Sequence, residues 1–224
     1  MTGGNVSVIN PTMNEEQSIG SVIDEVRGAL EGIRSYEVVV VDTDSKDRTR
    51  EIASERGAVV VQEPRRGYGR AYKTGFEHAK SEFLATLDAD MTYPASDIPT
   101  LLDMLERENL DFITTNRLAR MEPGAMSAKH RLGNTILSMA ARVLFRVKFK
   151  DSQSGMWVFR RALLGDMVLD SDGMALSEEI KIEAFRRGRA VEVPITYRPR
   201  VGEVKLDSWK DGLGNLGFLL KKRF

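Results

Sequence analysis

The residues of this chain best suited to chemistry are carboxylates spaced two apart. Asp88-Ala89-Asp90 is the sharpest case. At an extended strand end, side chains i and i+2 point to the same side. Two carboxylates placed so can address one divalent cation, or one can hold the cation while the other orients a ligand. Hard cations that also bind phosphate take one or two protein carboxylates. The competing reading is a solvated turn in which an Asp caps the next element. Asp42 and Asp44 repeat the spacing. They read either as hydrogen-bonding partners of a nucleoside or as caps of the following helix, with Ser45 and Asp47 as rival caps. The segment R-R-G-Y-G-R-A-Y-K-T-G, residues 65–75, combines glycines, four cations and a helix start. Helix N-termini and basic side chains favour phosphate. The segment lacks the ending of a P-loop and the full order of the dinucleotide fingerprint, so a tight loop with a solvated cationic face is the alternative.

The elements that must position these groups alternate regularly over the first 116 residues. β-branched or apolar runs occur at 6–10, 37–41, 58–61, 83–87 and 112–115, separated by helical spacing at 18–33, 47–56, 71–79 and 96–107. Strands apolar on both faces and separated by helices imply a parallel sheet covered on both sides, a doubly wound α/β pattern. Polar stretches follow the strands: N-P-T-M-N-E-E, D-T-D-S-K-D-R-T, D-A-D-M-T-Y-P and Asn116-Arg117. Ligands of open α/β sheets bind beyond the carboxyl ends of the strands, which sets the expected place of the site. After Asn116 come a basic helical segment over about 126–146, the stretch D-S-Q-S-G-M-W-V-F-R-R, a helix stopped by Gly188, and a strand in V-E-V-P-I-T-Y. In the tail, Trp209, Leu213, Leu216 and Leu220 keep near-helical spacing before Lys221-Lys222-Arg223, but Gly212, Gly214 and Gly217 weaken any helix there. The expected organisation is one domain over 1–206, in two parts (1–116 and 117–206), then an amphipathic basic tail over 207–224.

Composition narrows the chemistry. The 224 residues carry 33 Lys+Arg and 33 Asp+Glu, a formal net charge of zero, which excludes a globally basic nucleic-acid binder. The absence of Cys excludes disulfides, Cys-ligated zinc, iron–sulfur clusters and thiol catalysis. With only His78 and His130 besides, a metal must rely on carboxylate oxygen, which suits magnesium, manganese or calcium. The N-terminus lacks the pattern of a signal peptide, and no run of 18 apolar residues occurs, so no span is expected within this chain. The neutral total hides an asymmetry. Between Pro123 and Lys150 there is no acid, while Lys129, Arg131, Arg142, Arg146, Lys148 and Lys150 are interleaved with apolar residues. A basic amphipathic helix reads as membrane-surface binding; the alternative is a core-facing helix with a basic outer face.

Taken together, the motifs resemble the family 2 glycosyltransferases, and within them the dolichyl- or polyprenyl-phosphate hexose synthases. P-x-x-N-E stands at Pro11 to Glu15, the acidic block at Val41 to Thr49 and R-G-x-G-x-A at Arg66 to Ala71. The D-x-D with its following proline spans Asp88 to Pro94, D-x-x-S-G spans Asp151 to Gly155, and E-V-P-I and R-x-G-E-x-K-L close the set at Glu192 to Ile195 and Arg200 to Leu206. The resemblance implies a glycosyltransferase-A fold with a membrane-facing C-terminal annex, acting on a nucleotide sugar. It implies Pro11, Met13, Glu15, Asp42 and Asp44 at the nucleoside, joined on the donor side by Arg66, Lys73, Asp88 and Ala89. Asp88 and Asp90 would hold Mg2+ or Mn2+. Asp90, Arg117 and Arg131 would be catalytic, and Arg117, Arg131, Arg200 and Lys205 would meet the acceptor phosphate. The implied reaction is inverting transfer of a hexose to a dolichyl or polyprenyl phosphate, with a UDP-hexose favoured over GDP-mannose, by a protein peripheral to the cytoplasmic face of a membrane. Its oligomeric state stays open. Two departures from the family pattern are Thr43, where a second adjacent Asp is common, and Thr92, where related enzymes often carry Gln. A family 2 enzyme acting on a sugar hydroxyl, a nucleotidyltransferase and a silent nucleotide-sugar-binding module are the alternatives.

Overall fold

The computed structural model describes residues 5–202 and 208–224. Seven strands form one sheet in the order β3-β2-β1-β4-β6-β5-β7. They are β1 (Val6–Thr12), β2 (Tyr36–Asp42), β3 (Val59–Gln62), β4 (Phe83–Thr86), β5 (Phe112–Met121), β6 (Trp157–Arg160) and β7 (Ala190–Tyr197). The helices are α1 (Ile19–Leu30), α2 (Thr49–Glu55), α3 (Tyr68–His78), α4 (Ile98–Arg107), α5 (Ala128–Phe145), α6 (Leu176–Arg187) and α7 (Ser208–Arg223).

The buried apolar runs put core on both faces of the sheet. Val6, Val8, Val38 and Val40 face α1, α2 and α4, whereas Ile9, Val39 and Val41 face α3 and α6. A third cluster joins α5, α6 and α7 through Ala141, Val147, Phe149, Ile182 and Leu219. Parallel register pairs Ile9 with Val39 and with Thr86, and Thr12 with Asp42. The carboxyl ends of β1, β2 and β4 therefore open on one edge.

Two elements differ from the sequence expectation. β6 is a strand where none is predicted, and it runs antiparallel to both β4 and β5. Its reversal brings the start of the strand, preceded by Ser154-Gly155, to the edge where its neighbours end. The tail forms a continuous helix despite its glycines. Asn215 and Leu219 bury its inner face, so tertiary packing supplies what propensity withholds. Among the described residues no helix is long and apolar enough to cross a membrane.

Candidate active site

The three acidic loops meet at that sheet edge. Asp42, fully buried, ends β2 and is drawn into its own turn. It accepts from the Ser45 amide at 3.1 Å, from the Ser45 hydroxyl, from Thr12 Oγ1 at 3.2 Å and from Arg50 at 3.3 Å. These bonds shape the turn after β2 and are not the helix cap anticipated for Asp42: Arg48 stands at the N-cap of α2, and the Thr49 amide donates to Asp47 at 3.0 Å. Asp44 is more open, with a φ of 66°. Its carboxyl is held below the usual range by the Lys46 ammonium at 2.6 Å, and Arg66 lies at 4.0 Å. The P-x-x-N-E loop is tied alongside: Asn14 accepts from the Lys46 amide at 2.7 Å and the Glu15 amide donates to Thr49 Oγ1 at 2.7 Å. Pro11 and Met13 are half-buried beside this junction.

The two carboxylates of the D-x-D differ. Asp90 Oδ1 accepts from the Thr92 amide at 3.1 Å and from its hydroxyl at 2.6 Å, and Oδ2 accepts from Arg200 Nε at 2.7 Å. Thr92 thus orients Asp90. Asp88 Oδ1 receives the hydroxyls of Tyr72 at 3.2 Å and Tyr68 at 3.4 Å. Burial and the neighbouring Asp90 push the Asp88 carboxyl up to about 7. Ala89 packs into the core between them. Met91 follows with φ 67°, a strained conformation for a side-chain-bearing residue, which turns the chain sharply after Asp90. Gly155 makes room for the pair: a Cβ there would stand 2.4 Å from Tyr68 Oη and 3.1 Å from Asp88 Oδ1. Two carboxylates in such a cradle match the ligand set of a hard cation that takes its remaining ligands from phosphate and water.

Cations close the other side. Arg117 lies midway along β5, where the pairing with β7 shifts register between Asn116 and Arg120, and not beyond the strand as the sequence suggests; it is held bidentately by Asp151 at 2.8 and 2.9 Å. Burial opposes both charges, but each overcomes it in the other, so the guanidinium stays charged and the Asp151 carboxyl lies below its ordinary range. The Arg117 guanidinium also lies 5.3 Å from the centre of the Tyr197 ring. Glu192 fixes the Asp151 loop, accepting from the amides of Lys150 and Asp151 at 2.7 and 2.8 Å. The segment after β7 crosses the D-x-D, with Arg198 N donating to Thr92 O at 3.0 Å and Val201 N to Asp90 O at 2.9 Å. That crossing delivers Arg200 to Asp90, and Gly202 passes beside Glu15.

Other expected residues lie elsewhere. Lys73 bonds Asp172 at 2.6 Å and the carbonyls of Leu169 and Asp170; its ammonium closes the loop over 169–172 instead of facing Asp42 or Asp44. Gly67 and Gly69 of the basic segment serve the same contact. A Cβ on Gly69 would stand 2.5 Å from Ser171 O, and one on Gly67 2.3 Å from Asp172 O. Arg65 and Arg70 are spent on buried Glu63, whose carboxyl their hydrogen bonds and that of Thr74 hold far below its usual range. Arg131 is exposed on the first turn of α5. Lys205 lies outside the described residues. Sequence reasoning missed Tyr68, Tyr72 and Tyr93, whose hydroxyl accepts from the Gly155 amide at 2.7 Å, because aromatic side chains on apolar faces read as core. The i, i+4 spacing of Tyr68 and Tyr72 was the available signal.

Comparison with known proteins agrees with this layout. The family model described as glycosyl transferase family 2 matches residues 7–168. The low-salt glycan biosynthesis hexosyltransferase Agl6 of Haloferax volcanii is 39% identical, over 96% of this chain and 53% of that protein. The chain thus spans about half the length of that relative. A dolichyl-phosphate hexose transferase of the same organism is 36% identical over 94% of this chain and 90% of its own length. A dolichol-phosphate mannosyltransferase of Pyrococcus furiosus is 30% identical over 90% and 59%. In fold, the chain is similar to glucosyl-3-phosphoglycerate synthase of Mycobacterium tuberculosis, crystallised with Mg2+ and uridine diphosphate. The TM-score is 0.79 at 22% identity, covering 99% of this chain and 80% of that one. The mostly parallel sheet, its one reversed strand and the D-x-D at its open edge are those of the glycosyltransferase-A architecture, and the chain belongs to glycosyl transferase family 2.

Proposed function

We propose that this chain transfers a hexose, with inversion, from a nucleoside diphosphate sugar to a dolichyl or polyprenyl phosphate, with a UDP-hexose the favoured donor and GDP-mannose the other candidate. The observation that carries this reading is the state of the acceptor-half carboxylates. A hydroxyl acceptor needs a general base, and Ser177-Glu178-Glu179 is where one would sit. Glu179 is committed to the amides of Asp170 and Ser171, at 3.1 and 2.9 Å, and to the Lys222 ammonium at 2.8 Å. Glu178 is fully buried against Gln153, and burial raises its carboxyl well above the ordinary range. Neither is placed to take a proton from a substrate. A phosphate monoester, already mostly dianionic near pH 7, needs no base.

In this reading Pro11, Met13, Glu15, Asp44 and Arg66 bind the nucleoside end, and Asp42 holds their loop in shape. Asp88 and Asp90 hold Mg2+ or Mn2+, which when bound supplies charge stabilisation to the departing diphosphate. Arg117, kept charged by Asp151, and Arg200, beside Asp90, stabilise the leaving and attacking phosphates. Arg131 and Lys205 serve the acceptor phosphate further out. The exposed stripe Leu132, Ile136, Met139 and Val143 on α5, flanked by cations, lies against the anionic cytoplasmic face of the membrane that carries the acceptor. The test is incubation with labelled UDP- and GDP-sugars, Mg2+ or Mn2+, and a short polyprenyl phosphate. Label extractable into lipid supports the reading. Label appearing only in a soluble sugar acceptor, or in no product with any donor, overturns it.

A further inference from the structure

The two amphipathic helices each reach the site through one polar side chain. On the 3.6-residue period the exposed Leu132, Ile136, Met139 and Val143 of α5 fall on one stripe. Leu213 and Leu220 of α7, with Phe224 just beyond its end, do the same. Lys129, Arg131 and Arg142 border the first stripe, and Lys221 and Arg223 border the second. This charge complements an anionic lipid surface. The opposite faces turn inward. Ser138 of α5 accepts from the Ser152 amide at 2.9 Å. Asn215 of α7 donates to Gln153 Oε1 at 3.0 Å. Ser152 and Gln153 directly follow Asp151, the residue that grips Arg117. The Gln153 amide in turn donates to Asp151 Oδ1 at 3.2 Å, and its side chain to Glu178 at 3.1 Å. Both helices thus hold the loop that carries the counter-charge of Arg117.

We propose that Ser138 and Asn215 are positioning residues through which seating of the α5–α7 face on an anionic lipid surface sets the Asp151–Arg117 pair, coupling glycosyl transfer to that surface. The coupling rests on the transferase reading above, so its test includes a readout that needs no substrate. Hydrogen exchange is followed for the amides of Arg117, Ser152 and Gln153 in the full chain, with phosphatidylglycerol-rich or pure phosphatidylcholine vesicles. The expected result is slowed exchange on the anionic vesicles alone, lost in Asn215→Ala although that variant still binds them. Turnover of Asn215→Ala falls about tenfold or more at unchanged nucleotide-sugar KM, since a loosened catalytic group costs rate while the donor pocket lies in the other half. Ser138→Ala, on the other helix, gives the same pattern and serves if the first variant fails to fold. Exchange unchanged on bound vesicles overturns the coupling, as does wild-type turnover and protection in both variants. Stripes covered by a second copy, seen as a dimer in sedimentation with no vesicle binding, also overturn it. Vesicle-dependent protection in a protein without transfer activity supports the link from the lipid surface to the Asp151–Arg117 pair and overturns the transferase reading.

Discussion

Asp88 and Asp90 are two residues apart but held by different groups. Asp90 is oriented by Thr92 and paired with Arg200, whereas Asp88, among the described residues, accepts its hydrogen bonds from neutral tyrosine hydroxyls. Asp90→Asn is expected to abolish turnover with the circular dichroism spectrum and melting temperature preserved; retained turnover would remove Asp90 from the metal role. The Asp88 carboxyl, raised to about 7, makes the metal-free protein hold a proton that the unfolded chain has released between about pH 4 and 7. Its contribution to stability therefore falls as pH rises across that window. A cation needs the ionised form, so Mn2+ affinity should climb from pH 6 to pH 8 in calorimetric titrations, and a flat profile would contradict this. Arg117 depends on one counter-charge. Asp151→Asn strands its guanidinium in a buried setting and should cost about 3–5 kcal/mol in urea unfolding.

At the scale of elements, close packing explains features that first read as ligand binding. The R-G-Y-G-R turn is glycine-rich because the 171–173 loop crosses its backbone. Gly69→Ala should destabilise by about 1–3 kcal/mol, since the nearest obstacle is a carbonyl that cannot swing aside; an unchanged urea midpoint would show that the loop yields. The parallel strands were legible because they are apolar on both faces, and the carboxylates because they terminate those strands. β6 was not: four residues, W-V-F-R, carry too little periodicity, and only its neighbours make them a strand. The helix α7 was obscured by glycines that local propensity penalises, and Leu219, Asn215 and Lys222 hold it from inside. The cations of residues 65–73 were legible as a group but not in their partners. Glu63, just before the segment, and Asp172, far along the chain, claim three of the four.

For the whole molecule, binding through the proposed membrane face is the quantity to measure. Neutralising Arg142 and Arg146 together removes about 2 kcal/mol of attraction, roughly thirtyfold in partition to anionic liposomes. Charge reversal should weaken it further, and unchanged binding would leave α5 a plain structural helix. The basic flank of α5 also has a consequence for how the protein approaches. A molecule with zero net charge and six cations gathered between Pro123 and Lys150 is an electric dipole. A distant anionic surface exerts little net pull on it. Within a Debye length, about 8 Å in physiological salt, the surface exerts a torque that brings α5 round first. Salt should then disturb the angle at which the protein settles before it disturbs how much protein arrives.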